Sequence, residues 1–110
     1  MFDFNATAIL MEKVNDAWTE KEIEIKNVQS LREVFEPHND NIEQVNLDKY
    51  RKVYYSMGFL NEGIDAKLID MNDETHYMVS PLLLVQCDDS FPKKISPEVA
   101  ESIKKAIDFH

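Results

Sequence analysis

Apolar and polar residues alternate along this chain in runs short enough to be read element by element. In the first run, NATAILMEKVNDAW, Leu10, Val14 and Trp18 recur at steps of four, with Met11 and Ala17 beside them. That spacing puts one apolar stripe on a helix, and Asn5 offers an N-cap oxygen, so a helix is predicted over residues 5–18. Next, Ile23 and Ile25 alternate with Glu22, Glu24 and Lys26 as in a half-exposed strand, although Ile25, Val28, Leu31 and Phe35 also make a helical stripe. Ser30-Leu31-Arg32-Glu33 has the spacing of a capping box. Together these signals predict a strand over 22–27 and a short helix over 30–36, ended by Pro37. The polar run from His38 to Asn46 reads as a loop.

From Tyr50 to Cys87 the pattern predicts a β-meander. RKVYYSMGFL is rich in β-branched and aromatic residues, with Val53, Tyr55, Met57 and Phe59 on one face. Tyr50, Val53, Tyr54 and Met57 are helically spaced as well. What decides for a strand is the continuation through Asn61, Glu62 and Gly63, which suits a hairpin turn closed by a left-handed glycine. IDAKLID is then the return strand, Met71-Asn72-Asp73-Glu74 a second turn, and THYMVSPLLLVQC the third strand. The run Leu82–Val85 has no polar alternation, so both of its faces should be covered. Pro81, which cannot donate to a ladder, belongs at a bulge or an edge.

The last element is a helix. Ser96 is a good N-cap, Pro97 sits at N1, and Glu98 lies in the first turn, where the helix dipole favours an acid. Val99, Ile103, Ala106 and Ile107 form its apolar stripe, and Lys104 and Lys105 approach its negative end. The expected fold class is therefore α+β: an antiparallel meander of three to four strands packed against an N-terminal and a C-terminal helix. All of it fits one domain over residues 1–110.

Charge changes the picture from fold to partner. The net charge is −9, which disfavours a surface that grips nucleic acid or anionic lipid and favours basic partners. The apolar run Met78–Val85 is too short to span a bilayer. Asp3 stands where a secretory signal would carry a base, so a cytoplasmic protein is expected. Cys87 is the lone cysteine, which fits a reducing compartment; beside Asp88 and Asp89 its thiol should be a poor nucleophile, so it reads as a buried structural residue.

Known catalytic signatures are missing from the sequence. It has two glycines, Gly58 and Gly63, and neither GxGxxG nor GxxxxGK[ST]; HExxH and paired CxxC are absent too. His38, between Glu36 and Asp40, has the composition of a weak metal or general-base loop, but such loops arise by chance in an acidic chain. A Ser80–His76 pair lacks an acid partner and an oxyanion hole. No catalytic residue, metal or cofactor is expected.

The acids are unevenly placed. Residues 62–89 carry seven acids, Glu62, Asp65, Asp70, Asp73, Glu74, Asp88 and Asp89, against the single base Lys67. On the meander reading, Asp70, Asp73 and Glu74 crowd the second turn, while Asp88 and Asp89 leave the third strand at the opposite end of the sheet. Turns are often acidic only because they are solvated; a carboxylate rim that steers a basic partner is the functional alternative. Tyr50, Tyr54 and Tyr55 could supply aromatic anchors. These features lead us to expect a non-enzymatic acidic binding protein, monomeric or dimeric. It would neutralise a basic protein such as a nuclease toxin, as toxin-immunity proteins and phage inhibitors do. A self-associating structural or assembly subunit is the alternative.

Overall fold

The computed structural model describes residues 4–88 and 91–110, without the side chains of Asn61 and Glu62. Two antiparallel sheets and two short helices make up these residues, in place of the expected meander between two terminal helices. The large sheet has the order β2-β1-β7-β4-β3, built from β1 (Ala6–Val14), β2 (Ala17–Ile25), β3 (Ile42–Asn46), β4 (Arg51–Ser56) and β7 (Leu82–Asp88). A short strand β8 (Phe91–Lys93) folds back on the end of β7. The small sheet has the order β6-β5-β9, from β5 (Ala66–Ile69), β6 (Thr75–Met78) and β9 (Ile107–Phe109). Helix α1 spans Val28–Glu33 and helix α2 spans Pro97–Ala106.

The N-terminal helix expected over 5–18 is a hairpin. Steps of four are also multiples of two, so Leu10 and Val14 share a face in a strand as well as in a helix. Asn15 and Asp16 decide between them: both are left-handed, at φ 52° and 64°, which no α-helix accepts and which suits a tight two-residue turn between Val14 and Ala17. Asn5, the expected N-cap, is itself left-handed at φ 48°.

Further along, Asn27 rather than Ser30 caps α1, its Oδ1 accepting from the Ser30 N–H at 3.0 Å. The expected loop over 38–46 contains β3, whose Val45 is fully buried opposite Val53. Gly63 does have a positive φ, 105°, but it closes a 3-10 helix over Met57–Glu62 instead of a hairpin turn. Strand β4 therefore pairs with β3 and β7 and never with β5. The expected third strand is two strands in different sheets, β6 and β7, divided at Ser80-Pro81.

Two expectations hold. Helix α2 is capped by Ser96, whose Oγ accepts from the Val99 N–H, with Pro97 in the first turn. Its buried residues are Ala100 and Ile103, while Ala106, expected in the stripe, is exposed. The run Leu82–Val85 is at most 1% exposed. Leu82 and Leu84 face a core shared with α2 and the small sheet, containing Val53, Leu68, Met78 and Ile103. Leu83, Val85 and Cys87 face a second core, under α1, with Ile25, Leu31 and Phe35. Among the described residues no helix is long and apolar enough to cross a membrane.

Because neighbouring leucines of β7 serve different cores, their truncations test both faces. Leu83→Ala and Leu84→Ala should each destabilise by about 2 to 5 kcal/mol in denaturant titrations. An unchanged midpoint for either would show that its face of β7 is not packed.

Candidate partner-binding surface

The turn joining β5 and β6 is built around one carboxylate. Asp70 Oδ1 accepts the backbone N–H of Asn72 at 2.8 Å and of Glu74 at 3.0 Å, closing an Asx-type turn. Asp73 supplies the left-handed residue the turn needs, at φ 62°. The other oxygen, Oδ2, lies 2.7 Å from Nε2 of His76, which sits on β6 opposite Leu68. The hydrogen bond from His76, then that from the Glu74 N–H, hold the Asp70 carboxyl below the usual carboxylate range. Asp70 is thus spent on its own turn. The Met71 N–H donates to Asn46 O at 2.9 Å, which docks the turn against the end of β3.

Asp73 and Glu74 are left exposed, and among the described residues neither makes an ion pair. Beside them stand three uncovered apolar side chains, Ile69, Met71 and Tyr77, each more than half exposed. Of the bases at this end, Lys67 lies opposite Tyr77 and Lys49 over Tyr50, and neither makes an ion pair among the described residues; the other two are engaged. Arg51 pairs with Asp48 at 2.9 Å and donates to Ser102, and Lys52 donates to Asn46 Oδ1.

The expected opposition of the two acidic groups is corrected by the register. Asn46 faces Lys52, Lys52 faces Val85, and the Cys87 N–H reaches Tyr50 O at 2.7 Å. Asp88, exposed at the end of β7, therefore shares an end of the large sheet with the β5–β6 turn, two strand spacings or about 10 Å across. The reversal follows from β6 and β7 being separate strands. Glu62, as a side chain, and Asp89 lie outside the described residues. Asp65 is at the far end, 3.7 Å from Lys13 Nζ and accepting the Ser80 N–H.

The tyrosines divide. Tyr55 is 5% exposed and belongs to the core, so it offers no anchor. Tyr54 is half-buried, its hydroxyl donating to Gln44 Oε1 at 3.0 Å; burial, with a smaller push from Cys87, raises its pKa to about 12. Tyr50 is exposed beneath Lys49 Nζ, 5.1 Å from the ring centre.

The weak catalytic candidates are drawn apart or into packing. The His38 ring meets Phe59 edge-on at 4.6 Å and lies so close to Gly58 that an added Cβ there would be 2.5 Å from His38 Cβ. Asp40 turns away to Arg32. Ser80 Oγ accepts the Lys13 N–H, while His76 faces Asp70. Burial raises the Cys87 pKa, as suits an inert thiol. One trio was missed in the sequence: Asp70, Glu74 and His76 bring a ligand atom each within 4.8 Å of one another, a spacing that could accept a divalent cation. As it stands, Asp70 and His76 satisfy each other.

No family model, curated protein or solved structure matches the chain.

A depressed carboxyl pKa contributes stability above the unfolded value and loses it as pH falls through the folded one. The amide shifts of Asn72 and Glu74 should therefore titrate with a midpoint below about 3.9, the ordinary aspartate value. In Asp70→Asn that titration should vanish, and a midpoint at or above the ordinary value would contradict the latch. Elemental analysis of purified protein should find no stoichiometric zinc, manganese or iron. One metal per chain, lost in His76→Ala, would recast the trio as a metal centre.

Proposed function

We propose that this is a non-enzymatic cytoplasmic protein that binds a basic protein partner through the tip of the β5–β6 hairpin. The observation that carries the reading is a rigid turn presenting two uncompensated carboxylates, Asp73 and Glu74, beside exposed Ile69, Met71 and Tyr77. Apolar side chains supply the area that an interface core needs, and the carboxylates steer and select. Asp88 and Tyr50, at the same end, extend the surface. Fixing the turn in advance lowers the entropy lost on docking. A neutralising inhibitor of the toxin-immunity type is the case in which the partner's basic surface is the substrate groove of a nuclease. The non-enzymatic part of the reading is supported by the structural employment of His38, His76 and Cys87.

A photo-crosslinker at Met71 should capture a protein with a basic surface. Association of the purified pair should slow steeply between about 0.05 and about 0.5 M salt. Replacing Asp73 and Glu74 by Asn and Gln should cut the association rate roughly 3- to 10-fold with little change in dissociation. A neutral or acidic captured partner, or a rate indifferent to salt and to both substitutions, would sink the reading.

A further inference from the structure

Strand β2 is an edge, and its register with β1 fixes which of its backbone groups are free. The two-residue turn makes Val14 and Ala17 a hydrogen-bonded pair, and hydrogen-bonded and non-hydrogen-bonded pairs then alternate along the ladder. Trp18, Glu20, Glu22 and Glu24 fall on the non-bonded positions opposite β1. Their N–H and C=O groups point away from β1, toward an edge with which no strand pairs among the described residues. The same period of two sets the side chains of Glu20, Glu22 and Glu24 in a row on the face that carries α2. Glu20 confirms that face by its contact with Lys104 Nζ of α2 at 2.9 Å.

We propose that the β2 edge binds an extended peptide segment bearing arginine or lysine at alternate positions, added as an outer antiparallel strand. The free backbone groups of Glu20, Glu22 and Glu24 supply the ladder, and every second residue of the incoming strand lies directly across from one of these glutamates. Opposite charges at such positions stabilise a pair of strands, and like charges destabilise it. Charge complementarity thus selects a basic segment and rejects a second copy of β2, which would set glutamate against glutamate. Between the row and α2 lies a shallow cavity of about 310 Å³, lined by the apolar residues Ile9, Ile95 and Ala100. It gives the aliphatic stems of arginine or lysine somewhere to lie while their heads reach Glu22 and Glu101. Lys104, held between Glu20 and Glu101 at 2.9 and 2.8 Å, shows that an ammonium fits this rim. Strand addition of this kind draws affinity from the backbone and specificity from alternate side chains. It goes beyond the hairpin-tip reading and stands without it.

The test uses two blocked seven-residue peptides of one composition, TRTRTRT and RRRTTTT, titrated calorimetrically into the full chain near physiological salt. The alternating peptide should bind one to one and about tenfold more tightly than the block. Hydrogen exchange should show new protection at the amides of Glu20, Glu22 and Glu24, with Thr19, Lys21 and Ile23 unchanged because they already bond to β1. Glu20→Gln, Glu22→Gln and Glu24→Gln together should weaken binding about tenfold, while Asp73→Asn with Glu74→Gln should leave it intact. Lys104→Met should tighten it by releasing Glu20. Equal affinity for both peptides, or no new protection at the three glutamate amides, would overturn the proposal. So would loss of binding only in the Asp73 and Glu74 variant.

Discussion

Strand β7 is the constraint on which the rest depends. Four consecutive residues, Leu82 to Val85, are buried, and since successive side chains point to opposite faces, the strand needs cover on both. One cover is α2 with the small sheet, the other is α1 with the segment after it. Its neighbours β1 and β4 satisfy its backbone on either side. Strands β2 and β3 extend the sheet beyond β1 and β4, the helices and the small sheet lie over it, and the charged residues are left to the edges and turns.

That partition explains why the same chain has an inert interior and an active-looking periphery. His38, His76 and the cysteine, groups that chemistry often recruits, are engaged in packing or in a turn latch. What remains exposed is carboxylate, apolar tip and open strand edge.

The sequence carried the middle and the end of the fold more clearly than its beginning. A continuous apolar run has one physical reading when it is too short for a membrane, and Ser96-Pro97 is a strong helix start, so β7 and α2 were legible. Residues 5–18 were not, because a spacing of four satisfies both periods; the Asn15-Asp16 pair was the signal that outweighs it. A proline suits a bulge or an edge of one strand as well as a break between two; Pro81 marks the passage between two sheets, and reading β6 and β7 as one strand puts Asp88 at the wrong end. By type and position Asp70 reads only as one acid of a turn, either solvated or part of a partner-facing rim. Its role as a turn staple follows from a side chain reaching backbone two and four residues on, which Asp70, Asn72 and Glu74 do not advertise by type. The alternation of Glu22 and Glu24 with Ile23 and Ile25 was read as a half-exposed strand, but only the pairing with β1 shows that the glutamates line a free edge.

The position of β7 in the chain has a consequence for how the protein is made. Its partners β1 and β4 lie far upstream, with Leu83 facing Leu10 and Tyr54. On the ribosome the β1–β2 and β3–β4 hairpins emerge first, each with an apolar face and no strand to join them. The sheet closes only after β7 leaves the exit tunnel. Contacts of such long sequence separation make folding slow and leave sticky intermediates in the meantime. The glutamates along β2 are in place from the start of that interval. A row of like charges on an edge disfavours the zipping together of neighbouring chains' hairpins before their own central strand arrives.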